Sequence, residues 1–156
     1  MVGRSSATLT IVALGLLAIL TVGCAGADDE GVRALTTRLA DTGSEVRVVE
    51  RFEPQVQQLG DDGWSLCIDG QLIRAYAFGD STEALAAARR LDANAPLQLG
   101  NASIAWAGTA RFWHFRRVVV AYLGPVEAME QRLTAALGPP VSEGGGRAAD
   151  PTTFTC

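Results

Sequence analysis

The chain has 156 residues, with 17 acidic side chains against 13 basic ones, a formal charge of −4, and every basic residue is an arginine. That balance excludes the concentrated basic surface on which phosphate-backbone recognition depends, so nucleic acid is not an expected partner. A single histidine and three cysteines exclude a His-rich zinc centre and a dense disulfide framework.

Arg4 precedes an uncharged apolar run over 9–20, shorter than a comfortable bilayer span but suited to the core of a signal peptide. Thr21-Val22-Gly23-Cys24 follows directly and resembles the lipobox of bacterial lipoproteins, in which aliphatic or small residues and a glycine precede a modified cysteine. The resemblance implies that residues 1–23 are a lipoprotein signal peptide and that Cys24 carries the lipid. Each buried methylene contributes about 0.8 kcal/mol, and two acyl chains make an anchor stable. The expected location is therefore the cell membrane or outer membrane, facing the periplasm or the cell exterior. Ala25 stands where an Asp would resemble an inner-membrane retention signal, which favours the outer membrane in an organism with two. Loss of Arg4 with the signal leaves twelve arginines against seventeen carboxylates, a balance of −5.

Beyond Cys24 the chain is long enough for one domain with one core. Residues 24–30 are small and acidic and read as a spacer. Val32, Leu35 and Leu39 recur at helical spacing and Gly43 stops them, which predicts a helix from about 31 to 42. Val46, Val48, Val49 and Phe52 predict a strand closed by Pro54, and a loop runs from 55 to 63.

Asp69-Gly70 is the dipeptide of a two-residue type I′ turn and predicts a hairpin with arms 64–68 and 71–78. In that register Trp64, Leu66, Ile68, Ile73 and Ala75 share one face, while Cys67, Leu72, Arg74, Tyr76 and Phe78 share the other. Both faces carry apolar groups, so the hairpin belongs inside a sheet covered on both sides. Asp80, Ser81 and Thr82 are cap candidates for the helix that runs to Leu91, and Ala93-Asn94-Ala95-Pro96 ends it. A loop to about 101 leads to two further β segments, 103–107 and 109–115, joined at Gly108. The β-branched run 118–123 reads as a buried strand. Pro125 opens a last helix with Val126, Met129, Leu133 and Leu137 at helical spacing, stopped by Gly138-Pro139-Pro140. The predicted fold is a single α+β domain over 31–138, an antiparallel sheet of five or six strands with two or three helices, and 139–156 reads as a flexible tail. Ala75-Tyr76 with Gly79 and Glu83-Ala84 is echoed by Ala121-Tyr122 with Gly124 and Glu127-Ala128, each a strand, a glycine turn and a helix.

Asp69-Gly70, Tyr76, Phe78, Tyr122, Leu123-Gly124 and Leu137-Gly138, together with the lipobox, resemble a loose group of small uncharacterised bacterial lipoproteins. In that group an aromatic-ended hairpin precedes one helix and a Tyr-x-Gly strand precedes another. Members often place a His ahead of the aromatic pair of the second hairpin, where Arg111 precedes Phe112-Trp113 here. The resemblance implies the anchor and the α+β layout and brings no activity with it.

Catalytic patterns are sparse. Any Ser-His-Asp scheme must use His114, there is no G-x-S-x-G elbow, and Gly144-Gly145-Gly146 has no strand before it to make a phosphate loop. Asp61-Asp62 lacks the spacing of a calcium loop. No metal or cofactor is implied. Trp106, Arg111, Phe112, Trp113, His114 and Arg116 form the candidate binding surface, since aromatics and arginine dominate binding hot spots. The same aromatics serve equally as sheet-packing residues. With Cys24 lipidated, Cys67 and Cys156 remain: they either form one intramolecular disulfide or leave Cys67 as a buried strand thiol. The leading expectation is a membrane-anchored envelope lipoprotein acting as a binding or interaction module toward an envelope protein or glycan. The alternatives are a small hydrolase or transferase using His114 and a structural spacer without ligand.

Overall fold

The computed structural model describes residues 27–54, 57–60, 62–91, 97–99, 102–104, 109–143 and 154–156, with backbone only for 27–29, 57, 97–99 and 102–104. Residues 1–23, expected to be a signal peptide, lie outside the described residues, as do Cys24 and Trp106. Helix α1 spans Ala27–Ala40 and strand β1 spans Val46–Phe52. After a short 3-10 turn at Gln57–Leu59, β2 (Asp62–Ile68) and β3 (Gln71–Ala77) form the hairpin predicted from Asp69-Gly70. Both turn residues take the left-handed backbone that a type I′ turn requires, φ 48° at Asp69 and 80° at Gly70. Helix α2 (Ser81–Arg90) follows, then β4 (Leu97–Leu99) and β5 (Ala102–Ile104). The chain continues through β6 (Arg111–Phe115), β7 (Val118–Tyr122), α3 (Glu127–Leu137) and β8 (Ser142–Glu143).

Six strands make one antiparallel sheet in the order β1-β2-β3-β7-β6-β8, so three helices and a six-stranded sheet give a single small α+β domain. The period-2 alternation sends side chains to two cores. On one face Trp64, Leu66, Ile73, Trp113, Val118 and Val120 pack under Val32, Leu35 and Leu39 of α1 and Met129 and Leu133 of α3. On the other face Tyr76, Phe78, Phe112 and Val119 pack under Ala84, Ala87 and Ala88 of α2. The hairpin is thus covered on both sides, as its two apolar faces demand. The two echoed strand-turn-helix units place their helices on opposite faces, α2 on one and α3 on the other.

The start of α2 is closed by Asp80, whose Oδ1 accepts the Glu83 amide at 2.8 Å, while Glu83 Oε2 accepts the Gly79 amide at 3.2 Å. At the opposite end of the hairpin, Asp69 accepts the Glu45 amide at 2.9 Å and also binds Arg132 of α3, which ties β1, the hairpin tip and α3 together.

Four expectations are corrected. The helix at the N-terminal side begins at Ala27, not 31, so the acidic residues 28–30 belong to its first turn and not to a spacer, and acidic sequence there favours the helix dipole. Segment β5 pairs with β4, part of the stretch expected to be loop, and not with β6; the β-rich composition on either side of Gly108 suggests one hairpin, yet its halves belong to two sheets. Residues 139–156 are not simply a tail: Ser142 pairs with Phe112 and Glu143 with Arg111, giving the sheet its last edge. The last three residues also return to the sheet. Thr155 bridges to Gln71, the Cys156 amide donates to Gly70 O at 3.0 Å, and Cys67 and Cys156 form a disulfide with Cα atoms 5.8 Å apart. They occupy the part of the β3 edge that β7, paired only with residues 74–77, leaves open. The fourth correction concerns the binding surface, because Phe112 and Trp113 are buried within the sheet.

The two tyrosines of the chain supply a pH prediction. Burial pushes the Tyr76 hydroxyl above 10.0, against a smaller pull from Arg74. Burial does the same to Tyr122, opposed by the Val126 amide that donates to its oxygen at 3.2 Å. A folded pKa above the unfolded value contributes stability below pH 10, lost as pH rises through the folded values. Tyrosinate absorbance should therefore stay absent at pH 10 in the folded protein and emerge together with alkaline unfolding. A free titration near pH 10 with the fold intact would contradict the burial of both rings.

Candidate functional site

The β6–β7 hairpin carries most of the residues singled out for binding, and strand geometry splits them. Phe112 and Trp113 are adjacent on β6, so they point to opposite faces, and each is wholly buried in one of the two cores. They are sheet-packing residues and present no aromatic surface. Arg111 is held by Glu130 of α3 at 2.5 Å. Burial nonetheless pushes the Glu130 carboxyl above the ordinary range; Arg111 pulls it down, while repulsion from Glu127 and Glu143 adds to the rise. Arg111 is thus engaged by Glu130, in a neighbourhood that Glu127 and Glu143 make acidic.

His114 and Arg116 do reach solvent. His114 Nε2 lies 3.2 Å from the Ser81 carbonyl oxygen and 3.3 Å from Ser81 Oγ. The carbonyl can only accept, so the contact is satisfied when Nε2 carries the proton. In that tautomer Nε2 has no lone pair with which to take a proton from Ser81. No carboxylate bonds to the ring among the described residues, so the third member of a triad is missing.

Arg116 occupies the turn with φ 54°, a conformation that a long side chain adopts rarely. Its guanidinium lies 5.5 Å from the Phe115 ring centroid. This turn meets the start of α1, and Gly31 makes the approach possible: a Cβ there would stand 3.0 Å from Val118 Cγ2 and 3.3 Å from Arg117 Nε. Arg117 is partly buried, and its Nη2 is enclosed with no hydrogen-bond partner.

A groove of about 540 Å³ runs along α1 beside Phe115 and Arg116, with Glu30, Arg33, Arg38 and Asp41 on its helical wall. Glu30, Ala34, Thr37 and Asp41 of the lining stand three or four residues apart and so share one helix face. A smaller cleft of about 200 Å³ adjoins it, lined by Glu30, Gly31, Ser81, Arg116 and Arg117. Arg33, Arg38, Arg116 and Arg117 form no ion pair among the described residues, and Arg38 Nε donates to the Ala136 carbonyl at 2.8 Å. Four arginines against Glu30 and Asp41 leave the groove with surplus positive charge in a chain that is acidic overall. Such a surface takes carboxylate or phosphate groups through charge-assisted hydrogen bonds.

Sequence reasoning singles out Arg116 and passes over Arg33 and Arg38, whose spacing on α1 is that of any solvated helix face. Their partners arrive from a turn about eighty residues away. Among the described residues no group of three His, Cys, Asp or Glu side chains is placed to hold a metal ion, and no helix is long and apolar enough to cross a membrane. No protein-family model, curated protein or solved structure matches the chain.

Proposed function

We propose that the protein is a lipid-anchored envelope protein that acts as a binding module, with the arginine-walled groove along α1 as its ligand site. The observation that carries the export half of this reading is the Cys67–Cys156 disulfide, because such bridges persist in oxidising compartments and are rare in the cytosol. The lipobox supplies the anchor. Cys24 lies three positions before Ala27, a reach of at most about 11 Å, so a lipid on Cys24 holds the start of α1 close to the headgroups. The groove supports the binding half, and its charge favours an acidic segment of an envelope glycan or protein. The Ser81–His114 contact favours a hydrolase less, for want of a free lone pair and an orienting carboxylate.

Two measurements test the two halves separately. Cys24→Ser should abolish labelling by a fatty-acid analogue in cells and leave unprocessed precursor, and undiminished labelling would reject the anchor. For the groove, Arg33→Glu with Arg116→Glu should weaken retention of the full chain on anionic envelope polymers, such as muropeptides and teichoic-acid fragments, by at least tenfold, with an unchanged thermal midpoint. Both side chains line open surface and carry no core packing, so equal retention of wild type and variant would reject the groove as the site.

A further inference from the structure

The outer edge of the sheet raises a question independent of the groove. Strand β1 closes the sheet on one side, with no strand beyond it among the described residues, and Val48 and Val49 at its middle are 51% and 43% exposed, the large apolar side chains that stand in solvent among those residues. Water-facing valines on a long edge strand invite pairing, and proteins commonly prevent it with charges and bulges. Both devices are present here: Arg47, Glu50 and Arg51 flank the valines, and the register shift between Val48 and Glu50 makes Val49 an extra, bulged residue. The charges are of both signs, however, and their order makes the strand complementary to itself.

We propose that β1 pairs antiparallel with β1 of a second copy of this chain, joining two sheets across a two-fold axis. The register that fits sets Arg47 opposite Glu50 of the second copy and Val48 opposite Val49 of the second copy, each contact occurring twice. For the charged pair the faces agree: Arg47 lies opposite Cys67 and Glu50 opposite Ser65, both on the α2 side of the sheet, whereas Val48 lies opposite Leu66 on the α1 and α3 side and Val49 is the bulged residue between them. The two bulges coincide in this register, so both strands place the same two residues between their charged pairs. A slip of one residue either sets Arg47 against Arg51 or sets Val48 against itself with Arg47 against Val49, and both lose the ion pairs. Glu50 already accepts Ser65 Oγ at 2.8 Å and Arg74 Nη1 at 3.1 Å, and these bonds hold its carboxyl below the usual range, charged and with acceptor sites to spare. A groove of about 320 Å³, lined by Val48, Trp64 and Val32 with Arg33 and Thr36 on its helical side, adjoins the strand and receives the flank of the second copy.

One strand pair is a small interface, so the association belongs to the weak class. Sedimentation of the full chain in density-matched detergent, from about 10 to 500 μM, should show the mass rising from one copy toward two. Arg47→Glu should weaken the association at least tenfold by setting like charges across the pair, and Val49→Lys should abolish it, both with unchanged thermal midpoints because both side chains are exposed. Amide exchange at 48–50 should slow with concentration in wild type alone. A single-copy mass throughout the range overturns the proposal and leaves the edge to a strand of another protein. Association that survives both substitutions overturns it as well, by placing the contact elsewhere.

Discussion

Cys156→Ala should lower the unfolding free energy by about 4–5 kcal/mol, the loss expected when a loop of about ninety residues is no longer closed in the unfolded chain. The bridge spans a separation of 89 residues, from the middle of the sheet to the last residue. For a domain of this size the loss corresponds to a midpoint lower by about 10–20 °C. Cys156 is exposed, so its replacement removes the link and little packing, whereas Cys67 is buried. The two single variants and the double variant should nevertheless agree within about 1 kcal/mol, because each abolishes the same bond. The strap should also loosen. Ordering residues 154–156 costs about 1–2 kcal/mol per residue. Against this stand one buried ring, Phe154, the main-chain bond to Gly70 and the Thr155–Gln71 bridge, together worth about 3–6 kcal/mol. With the covalent link gone the two sides nearly cancel, and the amide of residue 156 should exchange faster than in the oxidised protein. Urea unfolding of oxidised wild type and Cys156→Ala, with the bridge verified by mass before and after reduction, decides the matter; a difference under 1 kcal/mol would show that the closure contributes nothing.

Trp113→Ala should cost about 3–5 kcal/mol, since the largest fully buried side chain of the sheet would leave a cavity between β6 and the α1–α3 layer. Trp113→Phe should cost far less, about 1–2 kcal/mol. The indole Nε1 is buried with no hydrogen-bond partner, and an enclosed donor of that kind carries a penalty of about 1–3 kcal/mol that the phenyl ring does not. The penalty removed offsets much of the volume lost. Equal destabilisation of the two variants in urea would mean that the donor is satisfied in solution and that volume alone sets the cost.

The β2–β3 hairpin is legible in local chemistry alone. Asp69-Gly70 selects one turn, the turn selects the register, and the register selects which residues share a face, so the assignment of Trp64, Leu66 and Ile73 against Cys67, Arg74 and Tyr76 follows from residues within fifteen positions of one another. The same locality holds for α2, where Asp80 caps an alanine-rich run, and for β7, whose β-branched residues are buried on both faces. The pairing of Cys67 with Cys156 is open in the sequence for the opposite reason. Composition leaves one partner for each thiol, but only the free length of β3 edge beyond β7 brings the last residues within bonding range.

Phe112, Trp113 and Arg116 mark the boundary most sharply. In sequence they are one aromatic and basic cluster, and nothing local separates a hot spot from a packing strand. The layers packed on β6 decide: α2 covers Phe112 on one face and α1 with α3 covers Trp113 on the other, while the turn carries Arg116 out beside Arg33 and Arg38 of α1. Periodicity, turn dipeptides and caps are contests among near neighbours, and the sequence alone determined most of the elements, the hairpin and the class of fold. Which strand lies beside which, what the C-terminal residues hold, and which arginines meet are contests among segments eighty or ninety residues apart, and those only the tertiary packing decided.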